Sequence, residues 1–193
     1  HGYIIAGHTL SDNGDVVGNK GIFDFWVVKL DNSGAIQWKK GLGGGHDDYV
    51  FAIRQTLDKG YVVAGLTFST DGDITNNQGE KDAWVIKLDS IGNLEWQKTF
   101  GGSGMDEVNA LELTPDGGLI LAGSSNSLDG DVSGNHGSLD FWVLKLDSAG
   151  LVEWQKSFGG GSAETALSIK QCLDGGYIAV GETFSNDGDV SGN

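Results

Sequence analysis

Four segments of this chain place Asp and Asn oxygens at fixed spacing around a glycine. They read Asn13-Gly14-Asp15-Val16-Val17-Gly18-Asn19, Asp71-Gly72-Asp73-Ile74-Thr75-Asn76-Asn77, Asp129-Gly130-Asp131-Val132-Ser133-Gly134-Asn135 and Asp187-Gly188-Asp189-Val190-Ser191-Gly192-Asn193. Three of them run on to a further aspartate, Asp24, Asp82 or Asp140, at the start of an apolar run. Oxygens at the first, third and seventh positions of a bent loop are what a hard cation such as Ca²⁺ takes. The candidate ligands are Asp15, Asn19, Asp24, Asp71, Asp73, Asn77, Asp82, Asp129, Asp131, Asn135, Asp140, Asp187 and Asp189. The pattern is not an EF-hand, because no glutamate stands at the twelfth position. A structural reading stands beside the metal one: Asp and Asn bend loops through Asx-turns and satisfy local backbone groups.

A second acidic position, Asp48, Asp106 and Glu164, follows each glycine-rich stretch. Two readings apply to it. It joins the first set on one acidic face suited to a cation, a basic partner or a sugar, or it caps a turn and points to solvent.

Other chemistries find little support. His1, His8, His46 and His136 are not placed as a repeated set, which disfavours a repeated catalytic or metal role. No serine sits in an elbow motif, and the order of residues offers no Ser-His-Asp set. Gly43-Gly44-Gly45 and Gly159-Gly160-Gly161 lack the Lys-Ser/Thr and the helix of a phosphate loop. Acid–base chemistry by carboxylates needs one distinctive pair, whereas these groups are spread over the whole chain. The expectation is a protein that is not an enzyme.

The elements that must position these groups follow from a repeat. Gly2-Tyr3-Ile4-Ile5-Ala6-Gly7 returns as Gly60 to Gly65, Gly118 to Gly123 and Gly176 to Gly181, always 58 residues on. All six tryptophans keep that period, as Trp26, Trp84, Trp142 and as Trp38, Trp96, Trp154. The second unit reads as strands over Tyr49–Thr56, Tyr61–Thr67, Ala83–Leu88 and Leu94–Thr99. A long polar loop, 68 to about 81, joins the second strand to the third. In the first strand, alternation sets Val50 and Ala52 on one face and Phe51 and Ile53 on the other. Turns such as Pro115-Asp116-Gly117-Gly118 carry hairpin chemistry. The tryptophans lie in apolar strands and are read as core rather than as a sugar platform. Cys172 takes the place of Thr56 and Thr114 and is read as a buried small residue.

The predicted fold is therefore all-β. It consists of propeller-type blades of four antiparallel strands, in three full 58-residue repeats plus part of a fourth, with an open β-solenoid as the alternative. The phase-matched units are 1–58, 59–116, 117–174 and the partial 175–193. Propellers close with four to eight blades. Either more blades of a longer chain complete the array, which is the preferred expectation, or copies assemble. The start at His1, in the middle of a unit, also fits a piece of something longer or a processed form.

Thirty-three glycines without a Gly-X-Y period, beside a single proline, mean many tight turns. The net charge of −15 repels phosphate backbones and anionic headgroups, so nucleic acid is not an expected partner. The apolar runs are far short of a membrane span, so membrane insertion is not expected. One cysteine allows no internal disulfide.

Several pieces together carry a resemblance: Gly175 to Gly181, Asn186 to Asn193, Asp140-Phe141-Trp142-Val143-Leu144-Lys145-Leu146-Asp147, and Glu153-Trp154-Gln155-Lys156-Ser157-Phe158-Gly159-Gly160. They resemble the repeats of large secreted Bacteroidetes proteins that often end in a type IX secretion sorting domain. The resemblance covers the whole chain and implies an extracellular or cell-surface location. No sorting domain lies in these residues. A weaker likeness joins Asp31, Gly34 and Trp38, with their copies, to the tryptophan-docking segment of quinoprotein (PQQ-type) propellers, in which the turn is one residue longer. It supports the blade and not the cofactor, so no PQQ is expected.

The expected role is a non-catalytic scaffold or binding surface with a protein or glycan partner. A Ca²⁺-dependent adhesin or carbohydrate-binding module is one alternative. The structural part of a propeller enzyme, with its active site outside these residues, is another.

Overall fold

The computed structural model describes residues 2–191. Thirteen strands follow one another: β1 (Tyr3–Thr9), β2 (Asp24–Leu30), β3 (Ile36–Leu42), β4 (Asp48–Gln55), β5 (Tyr61–Thr67), β6 (Asp82–Leu88), β7 (Leu94–Phe100), β8 (Asp106–Leu113), β9 (Leu119–Ser125), β10 (Asp140–Leu146), β11 (Val152–Phe158), β12 (Glu164–Gln171) and β13 (Tyr177–Thr183). No helix occurs among the described residues. The strands pair in chain order as β1-β2-β3, β4-β5-β6-β7, β8-β9-β10-β11 and β12-β13. The two complete sheets are four-stranded antiparallel meanders, the blade read from the repeat rather than the solenoid alternative. Each complete blade begins at Asp48 or Asp106, so it is offset from the phase units counted from residue 1.

Alternation along the first strand fails at one place. Val50 pairs with Gly65 and Ala52 with Ala64, which leaves Phe51 as a bulge. The bulge turns Phe51 outward and brings Val50 and Ile53 to the same core, not to opposite faces. The same slip occurs between Val108 and Ala110 and between Ala166 and Ser168. It explains the glycine opposite. A Cβ on Gly65 would lie 1.9 Å from the carbonyl oxygen of Tyr49.

The tight turns are closed by aspartates. Asp31 Oδ1 accepts from the amides of Ser33 (2.8 Å) and Ala35 (3.0 Å). Asp89 and Asp147 do the same in their own turns. In the other hairpin, Asp58 accepts from the Gly60 amide at 2.9 Å and pairs with Lys87 Nζ at 2.9 Å. Asp116 repeats this with Gly118 and with Lys145 at 3.0 Å.

The residues form two compact units, His1–Asn77 with Trp84–Thr99, and Gln78–Ala83 with Phe100–Asn193. In the first, Phe25, Val27, Leu42, Val50, Tyr61, Val63, Trp84, Ile86 and Leu88 make one core. The Trp84 ring lies 4.5 Å from that of Phe25. Trp38 packs on Tyr61 and donates its indole N–H to the Ser90 carbonyl at 3.2 Å. The core reading holds for Trp84 and Trp142, both fully buried. In the second unit, Ile120, Ala122, Val143, Ala166 and Ile169 form the corresponding core. Cys172 is only half-buried, so its expected burial is corrected. It lies at a hairpin turn, where its amide donates to the Gly176 carbonyl and the side chain stays near the surface.

Candidate functional site

The aspartates that open the third strands lie beside the acidic residues that open the following blade. In the first unit, β2 carries Asp24 and β4 carries Asp48, and the Asp48 amide donates to the Phe23 carbonyl at 2.6 Å. The second unit repeats the link from Asp106 to Lys81 (2.8 Å) and from Glu164 to Leu139 (2.6 Å). The polar groups therefore come together three times: Asp24 with Asp48, Asp82 with Asp106, and Asp140 with Glu164.

Each pair meets across a crossover glycine. A Cβ on Gly43 would lie 2.5 Å from Asp24 Oδ1 and 2.7 Å from Asp48 Oδ2. On Gly101 it would meet Asp106 Oδ2 at 2.5 Å and Asp82 Oδ1 at 2.8 Å, and on Gly159 it would meet Glu164 Oε2 at 2.4 Å and Asp140 Oδ1 at 2.7 Å. The glycine-rich stretch is thus required where the chain changes blades. A side chain there would displace a carboxylate.

All six of these acids are buried. The expectation that Asp48, Asp106 and Glu164 line an exposed acidic face, or cap a turn toward solvent, is corrected. Their partners account for the burial. Asp48 accepts from Thr67 Oγ1, from the Gly44 amide at 2.8 Å and from Ser69 Oγ at 3.1 Å. Asp106 repeats this with Ser125, Gly102 and Ser127, and Glu164 does so with Thr183 and Gly160. Their signal in the sequence is the same period of 58, as Thr67, Ser125 and Thr183 and as Ser69, Ser127 and Ser185.

The first-set aspartates are less well served. Asp24 Oδ2 accepts from the Lys20 amide at 2.6 Å, Asp82 Oδ2 from the Gln78 amide at 2.7 Å, and Asp140 Oδ2 from the His136 amide at 2.9 Å. In all three the other oxygen, Oδ1, is buried and meets no donor. Burial pushes the Asp82 carboxyl up to about 6, with the Asp106 and Asp131 charges adding to it. Burial also pushes Asp48 up to about 6 against its own hydrogen bonds. Asp24 and Asp106 are raised for the same reason.

The loop aspartates do something else. Asp71 Oδ1 accepts from the Gly45 amide at 2.6 Å and Asp73 Oδ2 from the Gly43 amide at 3.1 Å, while the Asp73 amide donates back to the Gly43 carbonyl at 3.0 Å. Asp129 and Asp131 hold Ser103 and Gly101 in the same way, and Asp187 and Asp189 hold Gly161 and Gly159. The repeated loops thus pin the crossover of the preceding blade. Asn77 donates to the Ser69 carbonyl, and Asn135 to the Ser125 carbonyl at the end of β9. Asp15 makes an ion pair with Lys39, and the Asn19 side-chain oxygen is buried without a donor. Asn193 lies outside the described residues. Among the described residues, no three His, Cys, Asp or Glu side chains gather as metal ligands would.

One position distinguishes the three junctions. Lys20, Gln78 and His136 share a repeat phase, and each bridges two aspartates of the first set, one in a loop and one opening a third strand. Lys20 Nζ pairs with Asp73. Gln78 Nε2 reaches Asp131 at 3.5 Å. His136 Nδ1 lies 2.7 Å from Asp140 Oδ2, with Nε2 4.0 Å from Asp189. The hydrogen bond to Asp140 raises the His136 pKa. The same acidic frame is therefore met by a fixed cation, a neutral amide and a titratable ring.

No protein-family model matches this chain, and no curated protein matches it. Among solved structures, it is similar to the WD40 domain of Neurospora crassa Pan2 at 17% identity and a TM-score of 0.30. The match covers 80% of this chain and 53% of that one, so the chain spans about half the length of that structure.

Proposed function

We propose that this chain is a non-catalytic binding or scaffold module built from propeller-type blades and working outside the cell or on its surface. The observation that carries the reading is the repetition of the acidic junction. The same two acids meet across the same glycine three times, with matching amide and hydroxyl donors. Carboxylate catalysis calls for one pair set apart from the rest. Here the acids hold blade crossovers in place, and the exposed loop surface is left for a protein or glycan. The strong negative charge disfavours nucleic acid. No helix among the described residues is long and apolar enough to cross a membrane. A glycan array and a screen against extracellular proteins test the reading. A hydrolytic activity abolished by changing the acids of one junction alone would overturn it.

A second reading, Ca²⁺-dependent binding, is favoured by the three buried Oδ1 atoms that meet no donor. It falls best on the junction of Asp82, Asp106 and Asp131, where Gln78 supplies no positive charge. Two of these carboxylates would hold the ion, with backbone carbonyls and water completing the shell. Calorimetric titration with Ca²⁺, repeated on Asp82→Asn, tests it. Equal thermal stability in Ca²⁺ and in chelator would remove it.

A further inference from the structure

The three junctions share their acids but differ in what stands over them. At the first, the Lys20 ammonium sits among oxygens. It meets the Gly43 carbonyl at 3.4 Å and pairs with the Asp73 carboxylate. The Lys20 backbone amide holds Asp24 Oδ2 at 2.6 Å. Gly43 is the centre of this arrangement. Its amide donates to Asp73 Oδ2 at 3.1 Å, and Asp24 Oδ1 and Asp48 Oδ2 lie against its Cβ position. Three carboxylates are thus answered by one cation that the chain supplies itself.

The second junction keeps the oxygens and lacks the cation. Gly101 donates its amide to Asp131 Oδ2 at 3.3 Å and accepts from the Asp131 amide at 2.7 Å. Asp106 Oδ2 and Asp82 Oδ1 lie against its Cβ position. That Oδ1 atom belongs to a fully buried side chain and meets no donor. The place of Lys20 is taken by Gln78, whose neutral amide only reaches Asp131 at 3.5 Å. The neighbouring Lys81 is engaged elsewhere, with Glu107 at 2.6 Å. Among the described residues, no basic side chain pairs with Asp82, Asp106 or Asp131. Three carboxylates gathered at one glycine with no counter-charge repel one another. At the third junction the His136 ring fills the corresponding place, 2.7 Å from Asp140 and 4.0 Å from Asp189.

We propose that the residue at this phase decides which junction takes a metal ion. Lys20 is the built-in cation of the first junction. At the second, resting on the Ca²⁺ reading above, Ca²⁺ takes the place of the ammonium. A hard divalent ion is held by oxygens, and they are in place. Asp131 Oδ2 and the Gly101 carbonyl correspond to the two oxygens that Lys20 meets at the first junction. Asp82, with its unpartnered Oδ1 against the same glycine, is the second carboxylate. Gln78 also contributes, because its amide turned over presents an oxygen, which a lysine head cannot do. Water completes the shell. The first junction is closed to the ion by Lys20 and the third by the His136 ring, so these three junctions take one ion and not three.

Calorimetric titration with Ca²⁺ alone counts the ions on the whole chain. One site is expected in the unaltered protein. Gln78→Lys should abolish it, and Lys20→Gln should give two. Gln78→Glu adds a charged ligand and should tighten the single site about tenfold. Both positions are exposed, so circular dichroism should show an unchanged fold. The gain in thermal midpoint from chelator to Ca²⁺ should follow the same order as the counts. A Gln78→Lys chain that still binds one ion overturns the proposal but leaves the Ca²⁺ reading standing. So does a Lys20→Gln chain that folds and gains no site, or an unaltered protein that takes more than one ion. No binding by the unaltered protein removes both. If Lys20→Gln does not fold, Gln78→Lys and Gln78→Glu decide alone.

Discussion

The carboxylates of Asp24 and Asp48 meet across Gly43, and both are buried, yet only Asp48 has donors on both oxygens. The relationship recurs with Asp82 and Asp106 across Gly101. It sets two like charges side by side away from water, an arrangement that favours a proton on one of them.

Stability should therefore rise on mild acidification. Asp48 and Asp82 each have a folded pKa near 6, above the ordinary 3.8. The folded state then binds protons more readily than the unfolded one. The stability this contributes is fully present below the ordinary value and lost as pH rises through about 6. The His136 pKa is also raised, which acts in the same direction. Denaturant unfolding should give a more stable protein at about pH 5 than at about pH 8, by about 1 kcal/mol for each of Asp48 and Asp82. Asp82→Asn should flatten the profile. A profile that rises toward alkaline pH would contradict this account.

The bulge makes a second, sharper test. Gly65→Ala places a methyl against the Tyr49 carbonyl, and only backbone movement relieves it. The cost should be about 3 kcal/mol. Gly7, which has open space around its Cβ position, should tolerate alanine far better. Equal midpoints for the two variants would argue against the pairing.

Two tryptophans separate buried from open positions. Trp84 is fully enclosed, and Trp84→Ala should cost about 4 kcal/mol. Trp154 is more than a third exposed, and the same change should cost about 1 kcal/mol. Thermal unfolding measures both.

Lys87 joins the first hairpin to the fourth strand, pairing with Asp58 and, at 2.8 Å, with Glu95. The hydrogen bond from Thr56, and then that from Lys87, holds the Asp58 carboxyl down to about 2. Lys87→Met keeps the apolar stem and removes the charge, and should cost about 1 kcal/mol, less in high salt. If salt leaves the difference unchanged, the loss comes from packing and not from charge.

Much of the blade was legible in the sequence because its determinants are local. A period of 58 residues, Asp-Gly hairpin turns and tryptophans in apolar strands fix four strands and their order, and the bounds differ from the observed ones by a residue. The bulge at Phe51 was not legible, since alternation reads the same until the partner strand imposes its register. The acidic positions show the division most plainly. The chain alone marks Asp24, Asp48, Asp71 and Asp73 as a repeated acidic set. Only the tertiary structure buries the first two against Gly43 and turns the last two into acceptors for its neighbouring amides. Spacing along a strand or loop is a property of the chain. Which oxygen meets a proton, an amide or nothing depends on segments 20 to 30 residues away, brought together when one blade packs on the next.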